Sequence, residues 1–561
     1  MIFFKPRLVD TLRAYDRGQL IADVSAGLTV GVLALPLAMA FAIASGMSPS
    51  AGIWTAIVAG FLISALGGSR VQIGGPTGAF IPIVYGIVAI HGEANLLVAT
   101  MLAGLMLFAL GAARLGTLVR FIPLPVVIGF TNGIAVVIFL SQIKDFLGLA
   151  IEKVPAEFFG KMHALATALP TAHWPTLTFG LASLAFLLTW NRYASRSRWL
   201  ARLPGPLAVL IVATAVNMLF SLPLETIGTR FGGIPQTIPT PSFPAFDLTK
   251  LGQLLPPAIA IALLGAIESL LSARVADSMI DDRHDPNQEL MAQGIANVVA
   301  PLFGGFAATG AIARTATNVR AGGRTPVAGM VHALTLLAVV LVLAPLAAHV
   351  PLTTLAAIVL VVAVNMGDWH EMSPTALKRF STKYRVILLT TFALTVLFDL
   401  TIAVEVGMVL ASLAFIYQMA RFTHVDRLPL ERRPDAARFL RPDGSLRVAA
   451  YRISGALFFG AIHKLDEILD TQDWPDVVVL DLGKLVSIDA SGLDTLRAIA
   501  RELDKRGIPL VLAEPSRETF RTLRKAGFLD EIGRENVRRT FEDALAHAAT
   551  LQRREPSISY T

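Results

Sequence analysis

Gly304 to Pro326 reads GGFAATGAIARTATNVRAGGRTP, and it interrupts a series of hydrophobic segments where a membrane-spanning helix would be expected. Glycines, threonines and the arginines Arg314, Arg320 and Arg324 break the apolar pattern. A polar, glycine-rich backbone cannot face lipid. It is tolerated only where protein buries it or where it lines a cavity. A fainter copy lies earlier: Gly74 to Pro82 reads GGPTGAFIP, and its Thr77-Gly78-Ala79 matches Thr309-Gly310-Ala311 at an offset of 232 residues. Paired interruptions at corresponding places of two halves point to the binding site of a solute transporter.

Composition shows where the membrane part ends. Met1 to Ala420 holds 25 Lys plus Arg and 19 Asp plus Glu, whereas the 141 residues from Arg421 to Thr561 hold 23 and 22. Charge density triples at that point. The chain therefore reads as a cytoplasmic N-terminal segment (1–19), a membrane domain (20–420) with repeats over 20–222 and 254–420, a linker (421–445), a soluble domain (446–550) and a tail (551–561). The formal charge of +7 resides mainly in the membrane part and follows from topology, so nucleic-acid binding is not implied. The absence of cysteine excludes disulfides, thiolate metal sites and a cysteine nucleophile. The first apolar run begins near Leu20 and is too long for a cleavable signal.

Apolar stretches of spanning length fall at 20–45, 50–67, 71–90, 95–113, 120–143, 174–191 and 203–222 in the first half. The second half gives 254–276, 288–303, 304–320, 325–348, 351–367, 385–400 and 401–420. Segments 71–90 and 304–320 are the interrupted ones, and only Asp399 and Glu405 mark a turn within 385–420. With the N-terminus inside, 19 Lys and Arg fall in internal connections and 5 (Lys144, Lys153, Lys161, Arg230, Lys250) in outer ones, as the positive-inside rule requires. Both ends are then cytoplasmic. Residues 154–168, short and amphipathic, should lie along the outer surface. Lys144 and Asp145 read as an interface anchor, and Thr131 and Asn132 as helix-packing residues.

Seven spans per half is an odd number, so the halves insert with opposite orientation, the inverted repeat of many secondary transporters. The fold class expected is an all-α polytopic membrane domain of fourteen segments in a 7+7 inverted repeat, followed by a small cytoplasmic α/β domain. Segments 3 and 10 should meet near the midplane, each an extended stretch (Val71 to Pro76, Gly305 to Thr309) followed by a half-helix. Two helix N-termini, each worth roughly half a positive charge, then converge. Such a site wants an anion. Thr77 and Thr309 can add hydroxyl donors and Arg314 a full charge; the plainer alternative is that the small residues only permit close helix packing.

GAIARTATNVRAGGRTPVAG, GGPTGAF and the fifth-span run PLPVVIGFTNGIAVVIFLSQIKDFLG resemble the SulP (sulfate permease) anion transporters, over nearly the whole chain. The similarity is nearest to the bacterial branch that includes C4-dicarboxylate transporters. The resemblance implies a core and a gate domain, with the anion held between segments 3 and 10. It places substrate contacts at Phe41, Thr77, Gly78, Ala79, Gly310, Ala311, Ile312, Ala313 and Arg314. Two departures stand out: Leu37 follows Pro36 where many relatives have glutamine, and Ala313 precedes Arg314 where many have serine.

Glu268 lies in PAIAIALLGAIESLLSARVADSM. An intramembrane carboxylate costs on the order of 3 kcal/mol and is a functional candidate by default. The 232-residue offset carries Pro36 onto it, opposite an expected break in segment 1. Burial disfavours its charged form, which suits it to carry a proton with the substrate. The matching family position is acidic in many prokaryotic members, and an aspartate there helps ligate sodium in some, so the glutamate here favours H+ coupling over Na+. Ser272, one turn on, could ligate a cation or satisfy a backbone carbonyl. The alternative is a structural pair of Glu268 with Arg274 or Arg314. His284 and His332 lack metal-ligand spacing, and no cofactor is expected.

In the soluble domain, Leu446 to Ser454, Val477 to Leu482 and Pro509 to Ala513 read as strands, Leu493 to Lys505 and Arg517 to Ala526 as helices. Val486 to Gly492, VSIDASG, resembles the loop motif of STAS domains, in whose stand-alone regulators the serine at the position of Ser491 is phosphorylated. Here Asp489 or Ser491 is expected to cap the following helix. The domain is expected to regulate, or to couple two subunits of a homodimer in the bacterial inner membrane. Functionally, a secondary-active transporter of a small inorganic or carboxylate anion leads, ahead of an uncoupled channel or exchanger, a sodium-coupled bicarbonate symporter and a membrane sensor with STAS output. An enzyme is a distant further reading, as the sequence offers no nucleophile–base pair or metal cluster in either domain.

Overall fold

The computed structural model describes residues 4–117, 123–151, 154–194, 204–244, 251–398, 400–441, 444, 447–461, 465, 468 and 474–551. Met1–Met408 and Val409–Thr561 form two compact units, the division falling inside the last apolar helix.

The first unit opens with α1 (Arg7–Leu12), then α2 (Arg17–Ala44) and α3 (Pro49–Leu66). An Asp16–Gln19 capping box starts α2, and Ser48 with Pro49 starts α3. Strand β1 (Gly74–Gly75) leads through a 3-10 turn (Gly78–Phe80) into α4 (Ile81–His91). Next come α5 (Glu93–Ala112), α6 (Leu124–Leu147), the surface helix α7 (Phe158–Ala168), α8 (Trp174–Ala194), α9 (Gly205–Phe220) and the short α10 (Ile227–Phe231). The second half repeats the pattern: α11 (Leu251–Ile280), α12 (Pro286–Val299), β2 (Thr309–Gly310), α13 (Ile312–Arg320), α14 (Pro326–Ala347) and α15 (Leu352–Met366). It ends with α16 (Pro374–Arg379), α17 (Thr382–Leu397) and α18 (Leu400–Phe422). Among the described residues, six helices are long and apolar enough to cross a membrane: α2, α3, α5, α6, α11 and α14. Counting the shorter and interrupted ones, the fourteen expected segments are all present.

Packing pairs come in symmetry mates. α5 packs on α12 and α11, while α14 packs on α3 and α2. These are the same pairings with the halves exchanged. Around α6 and α15, which pack on each other, α17 lies against α6 as α8 lies against α15. The first set is the core domain and the second the gate. Small residues let the core helices close. At the α5–α12 crossing, a Cβ on Gly104 or on Gly294 would sit 2.7 Å from the other's carbonyl oxygen.

Some expectations need correction. Segment 1 has no break: α2 runs unbroken through Pro36. The fifth span continues to Leu147, so Lys144 and Asp145 belong to its last turn. Asn132 donates to the Asp368 carbonyl at 3.2 Å. Residues 421–445 are not simply a linker, because β3 (His424–Leu428) joins the sheet of the second unit. Most of the expected tail, 552–561, lies outside the described residues.

The second unit is a sheet in the order β3, β4 (Val448–Leu457), β5 (Val477–Asp481), β7 (Leu510–Ala513), β8 (Val537–Arg538), with β6 (Leu485–Ile488) also pairing β4. β3 is antiparallel to β4 and the other pairs are parallel. Strand alternation builds two cores. Val478 and Leu480 pack with Leu496 and Leu503 of the helix Ala490–Lys505, and Val477 and Val479 with Ala544 and Leu545 of Phe541–Thr550.

Candidate functional site

Segments 3 and 10 meet as a two-stranded antiparallel crossing, Gly74 opposite Gly310 and Gly75 opposite Thr309. The polar residues of the two breaks lock it. Ala311 N–H donates to the Ile73 carbonyl at 2.8 Å, Ile73 N–H to Thr315 Oγ1 at 3.0 Å, and Asn318 Nδ2 to the Val71 carbonyl at 2.9 Å. Gly75 has φ +143°, and a Cβ there would meet Arg314 Nη1 at 2.6 Å. At Gly310 a Cβ would fall 1.8 Å from Gln72 Nε2. A side chain at Gly75 would strain the backbone, and one at Gly310 would require the Gln72 amide to shift.

Beyond the crossing the two half-helices begin, one at Gly78 after Thr77 and one at Ile312 after Ala311. Their first-turn N–H groups have no intrahelical acceptor and carry the positive ends of the helix dipoles. Around Gly78 the core and gate come together: a Cβ built there would lie 3.7 Å from the Phe41 ring, 3.5 Å from Ile138 and 3.8 Å from the Met366 sulfur. Phe41, Thr77, Ala79, Gly310 and Ala311 are buried, whereas Ile312 and Ala313 are exposed at the tip of their half-helix.

Side-chain directions redistribute the roles assigned from sequence. Thr77 Oγ1 donates to Glu268 Oε2 at 2.7 Å. Thr309 Oγ1 donates to the Gly265 carbonyl at 2.9 Å, so its hydroxyl hydrogen fastens β2 to α11. Arg314 is 1% exposed, and its Nη2 donates to the Pro76 carbonyl. It fastens segment 3, and its Nη1 has no hydrogen-bond partner among the described residues. Ser272 is buried and donates to Thr315 Oγ1 at 3.2 Å. Among the described residues Glu268 forms no ion pair with Arg274 or Arg314; its partner is Thr77.

Two buried carboxylates escaped the sequence reading. Asp23 Oδ1 accepts from the N–H groups of Arg324 (2.7 Å) and Thr325 (3.1 Å), and Tyr15 donates to its Oδ2 at 3.0 Å. Glu289 Oε2 accepts from Gly68 N–H (2.9 Å) and Ser69 N–H (3.2 Å). Each fastens a loop beside a broken segment. The signal was available, since both are carboxylates within or beside an apolar run. In the second unit, Asp489 caps the helix Ala490–Lys505 by accepting from Gly492 N–H at 2.8 Å, and Ser491 lies within its first turn. Among the described residues, no group of His, Asp and Glu could hold a metal ion.

Two family models match: the sulfate permease family over residues 20–391 and the STAS domain over residues 441–544. The chain belongs to the sulfate permease family. The chain is 41% identical over 533 residues to a Bacillus subtilis protein, YvdB, named as a candidate sulfate transporter, covering 94% of this chain and 98% of that one. It is 30% identical over 548 residues to the bicarbonate transporter BicA of Picosynechococcus sp., with 94% of each chain covered. The solved transmembrane domain of a cyanobacterial BicA superposes with a TM-score of 0.63 at 33% identity, covering 70% of this chain and 98% of that one. The SLC26A9 structure gives a TM-score of 0.84 at 19% identity over 97% of this chain and 92% of that one, a likeness of fold. The protein is thus a multi-pass membrane protein of a transporter family, not an enzyme.

Proposed function

We propose that the protein is a secondary-active transporter of small anions that works as a proton symporter by alternating access. The observation that carries this reading is the hydrogen bond from Thr77, at the start of one half-helix, to Glu268. While Glu268 is ionised it holds the Thr77 hydrogen. Once protonated, the carboxyl can donate to Thr77 Oγ1 instead, which frees the Thr77 hydrogen for an anion at the two helix N-termini. Proton and anion then favour each other's binding, the reciprocity that symport needs. Movement of the core, with Phe41 and Gly78, past Ile138 and Met366 of the gate would expose the site to either side in turn.

The substrate class is a small oxyanion or carboxylate: sulfate, a C4-dicarboxylate or bicarbonate. The sulfate and bicarbonate names of the relatives support this class. Sodium coupling is less well supported, because the Ser272 hydroxyl is directed to Thr315. We place both termini in the cytoplasm, from the charge asymmetry of the loops, and the protein in a bacterial inner membrane, from its likeness to bacterial relatives. A homodimer is part of the same proposal. Uptake of labelled sulfate, succinate and bicarbonate into proteoliposomes, with and without an inward pH gradient, tests the reading. Accumulation of one anion that follows the gradient supports symport. Gradient-independent equilibration would favour a channel or exchanger.

A further inference from the structure

The surface helix α7 carries a lysine where an apolar residue belongs. Its buried stripe is Lys161, Leu165 and Ala168, the i, i+4, i+7 spacing of a packed helix face. Lys161 is 5% exposed. Its ammonium stands 5.7 Å from the centre of the Tyr85 ring, and among the described residues no carboxylate pairs with it. Burial pushes the Lys161 ammonium below the usual lysine range, so the site favours a counter-charge.

Lys161 lines a cavity of about 790 Å³ whose walls also include Tyr85, Lys144, Asp145, Glu225 and Arg230. The two carboxylates are already committed, since Arg230 bridges Asp145 (2.9 Å) and Glu225 (2.6 Å). Among the described residues, Lys161 is thus a wall cation with which neither of these carboxylates pairs. Three of the five Lys and Arg in the expected outer connections converge here. That face is otherwise depleted of positive charge. Tyr85 belongs to α4, the half-helix that starts at Gly78, so the cavity lies toward the far end of the element that presents the crossing.

We propose that this cavity is an outer anion-recruitment site, with Lys161 as its anchoring cation. It would take the same class of small oxyanion or carboxylate before it reaches the crossing. The inference rests on the transport reading and on the orientation given by loop charge. A cation in a low-dielectric recess focuses field lines and raises the local concentration of anions.

Two measurements on the full-length protein test it. In right-side-out vesicles, a membrane-impermeant amine acetylating reagent should modify Lys161, read by mass spectrometry. Sulfate, succinate or bicarbonate, at constant ionic strength, should slow that modification about threefold or more. A Lys161 that is unreactive from outside, or equally reactive with all three anions, overturns the proposal whether or not transport occurs. In proteoliposomes, Lys161→Met should raise the external KM of whichever of these anions the parent carries by about fivefold or more. The KM for efflux should stay put, and Lys161→Arg should restore uptake. An equal change on both faces means that Lys161 only packs the helix. If the parent carries none of the three, the transport reading fails, and the protection experiment alone decides the recruitment site.

Discussion

Thr77 Oγ1 donates to Glu268 Oε2 at 2.7 Å, which ties the residue directly before one half-helix to a carboxylate on the neighbouring core helix α11. Any change in the charge of Glu268 therefore reaches the N-terminus of segment 3 through a single hydrogen bond. Removing the hydroxyl tests that link. Thr77→Val should cut proton-driven uptake about tenfold or more, as a hydrogen bond to a charged group is worth about 1.5–3 kcal/mol. Thr77→Ser should retain most of it. Equal uptake by Thr77→Val and the parent would separate Thr77 from coupling.

Gly310→Ala should act through the fold. Its Cβ would fall 1.8 Å from Gln72 Nε2 at the crossing, and overpacking a tight interior costs about 1–3 kcal/mol. Lower thermal stability of the purified protein and a smaller monodisperse fraction are expected. A variant with parental stability would mean that Gln72 can move aside freely.

Arg314→Ala should lower stability as well as transport, because it leaves the buried Pro76 carbonyl without its donor, a loss of about 1–3 kcal/mol. Melting temperature and anion affinity measured on the same preparation separate the possibilities. An unchanged melting temperature with lost affinity would make Arg314 a direct ligand and not a clamp.

The crossing itself was legible in the sequence, because polar glycine-rich backbone cannot face lipid and the GGPTGAF and GAIART runs leave few other arrangements. What the side chains do there was less legible. Thr77 and Thr309 match in the sequence, yet Thr77 directly precedes its half-helix and meets Glu268, whereas Thr309 lies within β2 and meets the Gly265 carbonyl. The residue that precedes the second half-helix is Ala311, so the matched tripeptides are not in structural register. Ser272, a candidate to ligate a cation or to satisfy a backbone carbonyl, donates to the Thr315 hydroxyl instead. Arg314 spends Nη2 on the Pro76 carbonyl, while its Nη1 has no hydrogen-bond partner among the described residues. β3 was read as linker because it is an edge strand, with Val425 buried and His424, Asp426 and Arg427 exposed. Such a pattern has almost no apolar periodicity to detect.

In the second unit, His547 should give an acid-sensitive term. Burial, and next the Arg538 charge, hold its pKa below the ordinary histidine value, with Arg538 Nη2 2.9 Å from Nδ1 and Asn536 Oδ1 3.0 Å from Nε2. The unfolded chain therefore takes up a proton at a higher pH than the fold. Stability is unaffected well above the unfolded value of about 6.5 and falls as pH drops through and below it. Hydrogen exchange of β5 and β7 in the full-length protein should quicken on acidification, and less so in His547→Asn. Identical acid responses in the two proteins would remove His547 as the cause.

The most direct test of the central claim, that Glu268 carries the coupled proton, is labelled-anion uptake by Glu268→Gln under an imposed inward proton gradient. Glutamine keeps the side-chain volume and can donate to Thr77 Oγ1, so it imitates the protonated carboxyl permanently. Gradient-driven accumulation should collapse, while anion binding and the exchange of internal for external anion persist. Full proton-driven accumulation by Glu268→Gln would contradict the account.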